Sequence, residues 1–179
     1  MSGSFFNNTS KVVSICGLML LIGCKGDDVI VDPVPVIFLE EINQVKNVSD
    51  KDSIIEIVFH FEDGDGDIGL SESDTLPPFN FGSPYFHNLP IKYLVPDGSG
   101  GSKELENPVN NMPYGNKHQR VPVLTPTGKN KAISGNLKIK LTANPLNVKP
   151  EELKFEIKLL DRQLNVSNTL LTESLKLVH

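Results

Sequence analysis

The residues best suited to chemistry lie in one short run. Glu62-Asp63-Gly64-Asp65-Gly66-Asp67-Ile68-Gly69 alternates carboxylates with glycines. Carboxylates are hard oxygen donors, and glycine lets the backbone curl so that several of them face one point. Calcium takes about six to eight such oxygens. Without a cation, clustered aspartates repel by roughly 1 kcal/mol per pair at about 4 Å in water, and by more when partly buried. A cation turns that repulsion into binding energy. The spacing resembles the start of an EF-hand loop but departs from it at key positions. Ile68 stands where that loop needs glycine, Asp74 stands where it needs a bidentate glutamate, and the preceding segment reads as a strand. An EF-hand is therefore excluded. Magnesium binds few protein ligands and keeps its waters, so calcium is the expected ion. The alternative is a solvated acidic turn that only ends a strand.

A second polar loop, Asp161-Arg162-Gln163-Leu164-Asn165-Val166-Ser167-Asn168, follows another strand-like segment. If every connection reverses the chain, strands an even number of steps apart run in the same direction. Counting strands near Ser53, Tyr85, Lys103, Ile133 and Leu153 as consecutive places Asp63 and Asp161 at the same end of the fold. Asp161, with Asn165 or Asn168, would then complete an oxygen cage begun by Asp63, Asp65 and Asp67. Alternatively, Asp161 pairs with Arg162 or accepts backbone donors in a turn. Without a strand near Lys103, the two loops would sit at opposite ends.

The elements that must position these loops read as strands. In residues 53–61, Ile55, Ile57, Phe59 and Phe61 alternate with Glu56, Val58 and His60, which gives one apolar face at period two. Residues 133–141 repeat the pattern with Leu137, Ile139 and Leu141 against Lys138 and Lys140. Residues 153–159 do so with Phe155 and Ile157 against Lys154, Glu156 and Lys158. An edge-like strand is expected at 36–42, after Pro33 and Pro35. One or two strands are expected in 83–95, broken at Pro90. A closing strand is expected in 169–178, with Leu171, Leu175 and Leu177 inward. Residues 96–101 read as a turn and 107–120 as irregular. One helical turn could start at Pro150. No sustained helical stripe occurs. About seven short strands between turns predict an all-β, immunoglobulin-like antiparallel β-sandwich over residues 36–179.

The chain has 179 residues, a formal charge of −5, two cysteines and no tryptophan. The acidic balance argues against a nucleic-acid binder, because phosphate contacts need an excess of lysine and arginine. Two cysteines cannot build a disulfide framework or a four-cysteine zinc site. Residues 12–23 form an uncharged, mostly apolar run of 12 residues after Lys11. A bilayer span needs about 18 or more, so a secretory signal over 1–23 is expected. The run ends in Leu21-Ile22-Gly23-Cys24, which resembles a bacterial lipobox. In that reading Cys24 is lipidated and becomes the new N-terminus, residues 24–35 are a tether, and no disulfide can form within the mature chain. More than one acyl chain gives stable anchoring. The alternative is a short buried helix with an incidental cysteine.

Charge is uneven: residues 24–74 sum to −11 and residues 75–179 to +5. Lys117, Arg120, Lys129, Lys131, Lys138 and Lys140 could form a basic patch for anionic glycans or headgroups, or simply cover solvent faces. Phe79, Phe81, Tyr85 and Phe86 could stack on sugars, anchor a protein, or cap the core. His60, His87, His118 and His179 show no metal-ligand spacing, and no nucleophile elbow or other catalytic signature is present.

Cys24-Lys25-Gly26-Asp27-Asp28 resembles the acidic export signals of Bacteroidetes surface lipoproteins, with Gly26 interrupting the usual run; an ordinary solvated tether is the alternative. Together with the acidic loop and the 161–168 loop, it resembles a recurrent Bacteroidetes lipoprotein type with a DGDGDIG loop and an immunoglobulin-like domain. The resemblance implies a place in the cell envelope, on the outer membrane and exposed at the surface, and implies no activity. Two function classes follow. One is a non-catalytic, membrane-anchored lipoprotein that binds calcium and recognises, or assembles with, an envelope protein or glycan. The other is an envelope enzyme that uses paired carboxylates such as Asp63 and Asp67 on a glycan.

Overall fold

The computed structural model describes residues 1, 32–114, 117–124 and 131–179. The expected signal segment, Cys24, Lys129 and most of the tether lie outside the described residues. Within them the chain is all-β, with eight strands in two antiparallel sheets. In chain order these are β1 (Val36–Lys46), β2 (Asp52–Asp63), β3 (Ile91–Pro96), β4 (Ser102–Glu104), β5 (Ile133–Thr142), β6 (Glu152–Ile157), β7 (Leu170–Leu171) and β8 (Leu175–Lys176). One sheet has the order β1-β2-β5. The other has the order β4-β3-β6-β7, and β8 pairs with β6 beside β7 as the second half of an interrupted edge strand.

Alternation sets which face of each strand is buried. Ile55, Ile57, Phe59 and Phe61 of β2 are buried, as are Ile139 and Leu141 of β5. They meet Ile91 and Tyr93 of β3 and Leu153, Phe155 and Ile157 of β6. Tyr93 lies opposite Phe155 in register, with ring centroids 4.9 Å apart and edge-to-face. Each such buried side chain contributes roughly 1.5–3 kcal/mol, so the two inner faces hold the sheets together. On the outer face of β5, Lys138 and Lys140 both pair with Glu56 rather than joining a basic patch.

Of the one or two strands expected in 83–95 one forms, with regular pairing beginning at Ile91 just past Pro90. Asn80 to Phe86 makes successive tight turns. Two local expectations are corrected. The short helical turn falls at Pro145–Asn147 (a 3-10 turn), not at Pro150. Near the C-terminus the inward phase is shifted: Leu170 is buried and Leu171 is 57% exposed. The buried Thr172 hydroxyl accepts the Phe155 N–H at 2.9 Å, which pulls the chain off simple alternation.

Antiparallel pairing sorts the connections to two poles. The chain enters β1 at the pole where β2 and β6 end and where β3, β5 and β7 begin. The turns β1–β2, β3–β4 and β5–β6 lie at the other. There, buried Asp52 accepts the Val178 N–H at 2.7 Å. An apolar groove of about 450 Å³ opens at that far pole, lined by Val95, Leu105, Val148, Pro150 and neighbouring Glu151 and Glu152.

Candidate metal centre

The acidic loop leaves β2 at Asp63 and turns at once. Gly66 takes φ +67° and Gly69 takes φ +113°, conformations that side chains disfavour. A Cβ on Gly69 would also fall 2.2 Å from the Pro122 carbonyl oxygen. Between them, Ile68 is fully buried and bridges to Asp161. The Ile68 carbonyl accepts the Leu124 N–H at 3.0 Å, and Leu70 donates to Val121 at 2.9 Å. An apolar plug and a neighbouring extended segment thus fasten the loop, and its aspartates are carried around the plug.

The second loop is a tight turn closed by its own first residue. Asp161 accepts the Asn165 backbone N–H at 2.8 Å and the Asn165 Nδ2 at 2.7 Å. Ser167 and Leu159 exchange bonds that hold the base of the turn. The loops then meet. The Arg162 N–H donates to Asp67 Oδ1 at 3.4 Å, and the Gln163 side chain donates to Asp65 Oδ2.

The outcome is a cluster of Asp63, Asp65, Asp67 and Asp161, in which one oxygen from each lies within 4.8 Å of the others. Asp63 and Asp161 are buried, at 2% and 1% exposure. Asp63 Oδ2 accepts the Asp67 N–H at 2.9 Å, while Asp63 Oδ1 and Asp65 Oδ1 are buried with no hydrogen-bond donor among the described residues. Desolvation, followed by the charges of Asp65, Asp67 and Asp161, pushes the Asp63 carboxyl up to about 6, against the Asp67 N–H bond. Burial and the charges of Asp161 and Asp65 also raise Asp67. Among the described residues none of the four aspartates forms an ion pair. This buried cluster can hold a metal ion.

The remaining expected ligands have other partners. Asn165 braces Asp161 from behind. Asn168 is committed to β1, where its Oδ1 accepts the Ile37 N–H at 2.8 Å and its Nδ2 donates to the Ile37 carbonyl at 2.9 Å. Its amide mimics a strand residue and stitches the two sheets along one edge. Asp161 combines two of the expected roles, taking turn donors while presenting an oxygen to the cluster. It does not pair with Arg162.

Arg162 instead grips Asp74 with two bonds, at 2.7 and 2.9 Å, and donates to the Gly69 carbonyl at 3.2 Å. That grip, with bonds from the Ser71 N–H and hydroxyl, holds the Asp74 carboxyl well below the usual carboxylate range. Arg120, first read as part of a basic patch, is the second staple. Its guanidinium donates to the carbonyls of Ser71, Asp74, Phe79 and Phe86 and sits 4.8 Å from the Phe86 ring. Sequence reasoning missed these partnerships. Arg120 and Arg162 are the only two arginines in the chain, and their bonds to the 69–86 stretch leave no local pattern. Comparison of the chain with protein-family models, with curated proteins and with solved structures returned no match.

Proposed function

We propose that this chain is a lipid-anchored protein of the cell envelope, and that its β-sandwich carries a calcium ion at one pole and serves binding or assembly rather than catalysis. The observation that carries the metal reading is the buried oxygen of Asp63, which has no donor among the described residues and faces three more carboxylates. A buried charge without a partner is costly, and a divalent cation is the partner that four aspartates would share. Calcium fits best among common ions. The donors are all oxygen, which disfavours zinc, and four carboxylates exceed what magnesium takes from protein. An acid and a base working across a sugar ring need separate environments, whereas these carboxylates share one.

The apolar run before Cys24 supports the anchor. The immunoglobulin-like reading draws support from the strand partition. Labelled in chain order, strands A, B and E face C, F and G, and only the fourth strand changes sheet relative to the constant-type arrangement.

Calorimetric titration and thermal melting of the full chain test the metal. At calcium about 100-fold above its dissociation constant, stabilisation of about 2.7 kcal/mol is expected. That corresponds to a melting-temperature rise of about 5–10 °C. Asp65→Ala should abolish the rise, since Asp65 lends no backbone-bracing bond to the loop. No heat and no shift in the unaltered chain would remove the calcium reading.

A further inference from the structure

The loop between β2 and β3 carries a second feature that the metal does not explain. Residues 75–91 contain no Asp, Glu, Lys or Arg, yet hold Phe79, Phe81, Tyr85 and Phe86. Its C-terminal end, with Leu89 and Ile91, is buried in the core, but its tip is not. Leu76 is 76% exposed and Phe81 is 86% exposed. Neither is left out through slackness. Phe79 bonds back to Leu76 at 2.9 Å, Ser83 to Asn80 at 3.0 Å and Phe86 to Ser83 at 3.1 Å, which makes three successive turns. Arg120 holds the carbonyls of Phe79 and Phe86 from beneath, and Arg162 holds Asp74. Phe81 packs T-shaped against Phe86, with centroids 5.3 Å apart. The fold therefore fixes an uncharged loop with two large apolar side chains in water.

The position of this loop says what would cover it. It springs from the acidic pole, where the chain also enters: Gly64 donates to the Asp32 carbonyl at 3.2 Å, four residues before β1. Only eight residue-to-residue steps separate Cys24 from Asp32. At about 3.5 Å per residue, a fully extended tether spans no more than roughly 28 Å. A lipid on Cys24 would keep this pole within that reach of the bilayer.

We infer that Leu76 and Phe81 dock into the interfacial layer of the membrane to which the domain is tethered, so that the acidic pole faces the lipid and the 450 Å³ groove faces away. The inference rests on the lipid-anchor reading for its orientation. Exposed Phe and Leu suit that layer, because apolar side chains bury at the boundary between headgroups and acyl chains.

The chain has no tryptophan, so one introduced reporter can be read alone. The full chain carrying Phe81→Trp is placed on phosphatidylcholine vesicles with and without brominated acyl chains. Val48→Trp, in the fully exposed β1–β2 turn of the far pole, is the comparison. The mass of the N-terminal peptide independently reports lipid on Cys24. The expected result is a blue shift and quenching at position 81 that exceeds that at position 48 by about threefold or more, as interfacial insertion requires. Equal, solvent-like emission at both positions on a lipidated chain would overturn docking and leave the anchor standing. Quenching at position 81 on a chain without lipid would support docking and remove the anchor. Shielding of position 81 in whole envelope fragments but not in pure lipid would mean a protein partner, and would also overturn the inference.

Discussion

At the scale of single residues, Asp63 decides how the cluster behaves. Its carboxyl binds a proton more tightly in the folded chain, at about 6, than an unfolded aspartate does at about 3.9. The proton therefore favours the folded state. Metal-free stability should peak at about pH 4, fall between about 4 and 6, and level off above. Asp67 shifts in the same direction. Asp74 has the opposite sign, but its contribution is lost only as pH falls below the usual carboxylate range, so the windows separate. Asp63→Asn keeps an acceptor for the Asp67 N–H while removing the buried charge. It should raise metal-free stability by on the order of 2 kcal/mol, measured by denaturant unfolding at neutral pH, and should abolish the calcium-induced rise in melting temperature. A variant that melts lower without metal and still responds to calcium would show that Asp63 is braced by something other than a cation. The acidic run advertised this residue in the sequence. Its burial was not legible there, because it depends on Ile68 plugging the loop from one side and Asp161 closing it from the other.

Elements were legible where packing obeys a simple period. The faces of β2, β5 and β6 follow from alternation because each presents one side to a shared core and the other to solvent. Alternation failed at β7 and β8, where a hydroxyl replaces a ladder partner, and in the 64–90 loop, where arginine forks replace regular pairing. Those bonds join residues many tens of positions apart and leave no local pattern. They can still be tested one by one. Asn168→Ala should cost about 1–2 kcal/mol by removing both bonds to Ile37. Calcium affinity measured by titration should stay within about threefold, since the loss lies outside the cluster. A tenfold or greater loss of affinity would return Asn168 to the ligands. Arg162→Lys keeps the charge but loses the fork to Asp74. Faster amide exchange at Ser71, whose N–H caps the same carboxylate, is the expected sign, with melting lowered by a few degrees.

For the whole molecule, the meeting of Asp63 and Asp161 followed from counting reversals: β2 and β6 are four steps apart, so both end at one pole. That count held because even the short β4 reverses the chain. The three-residue β4, paired to β3, thus turns the chain back toward the acidic pole. The same division into poles predicts how far a bound cation is felt. Calcium would tie the 63–67 and 161–165 loops together, and through Arg162 the 71–90 loop. It would not touch the β1–β2 turn or the β3–β4 turn, which are closed by Asn47 and Asp97 through their own local bonds. Amides that open only by global unfolding gain the full binding energy, and amides in frayed surface turns gain none of it. Hydrogen exchange with and without calcium should therefore slow by about 10-fold or more at the Asp67 and Asn165 amides, whose donors point at cluster carboxylates. It should stay unchanged at Ser49 and Ser99. Equal slowing at both poles would mean that calcium acts on the fold generally, by screening its acidic surface, and not at four aspartates.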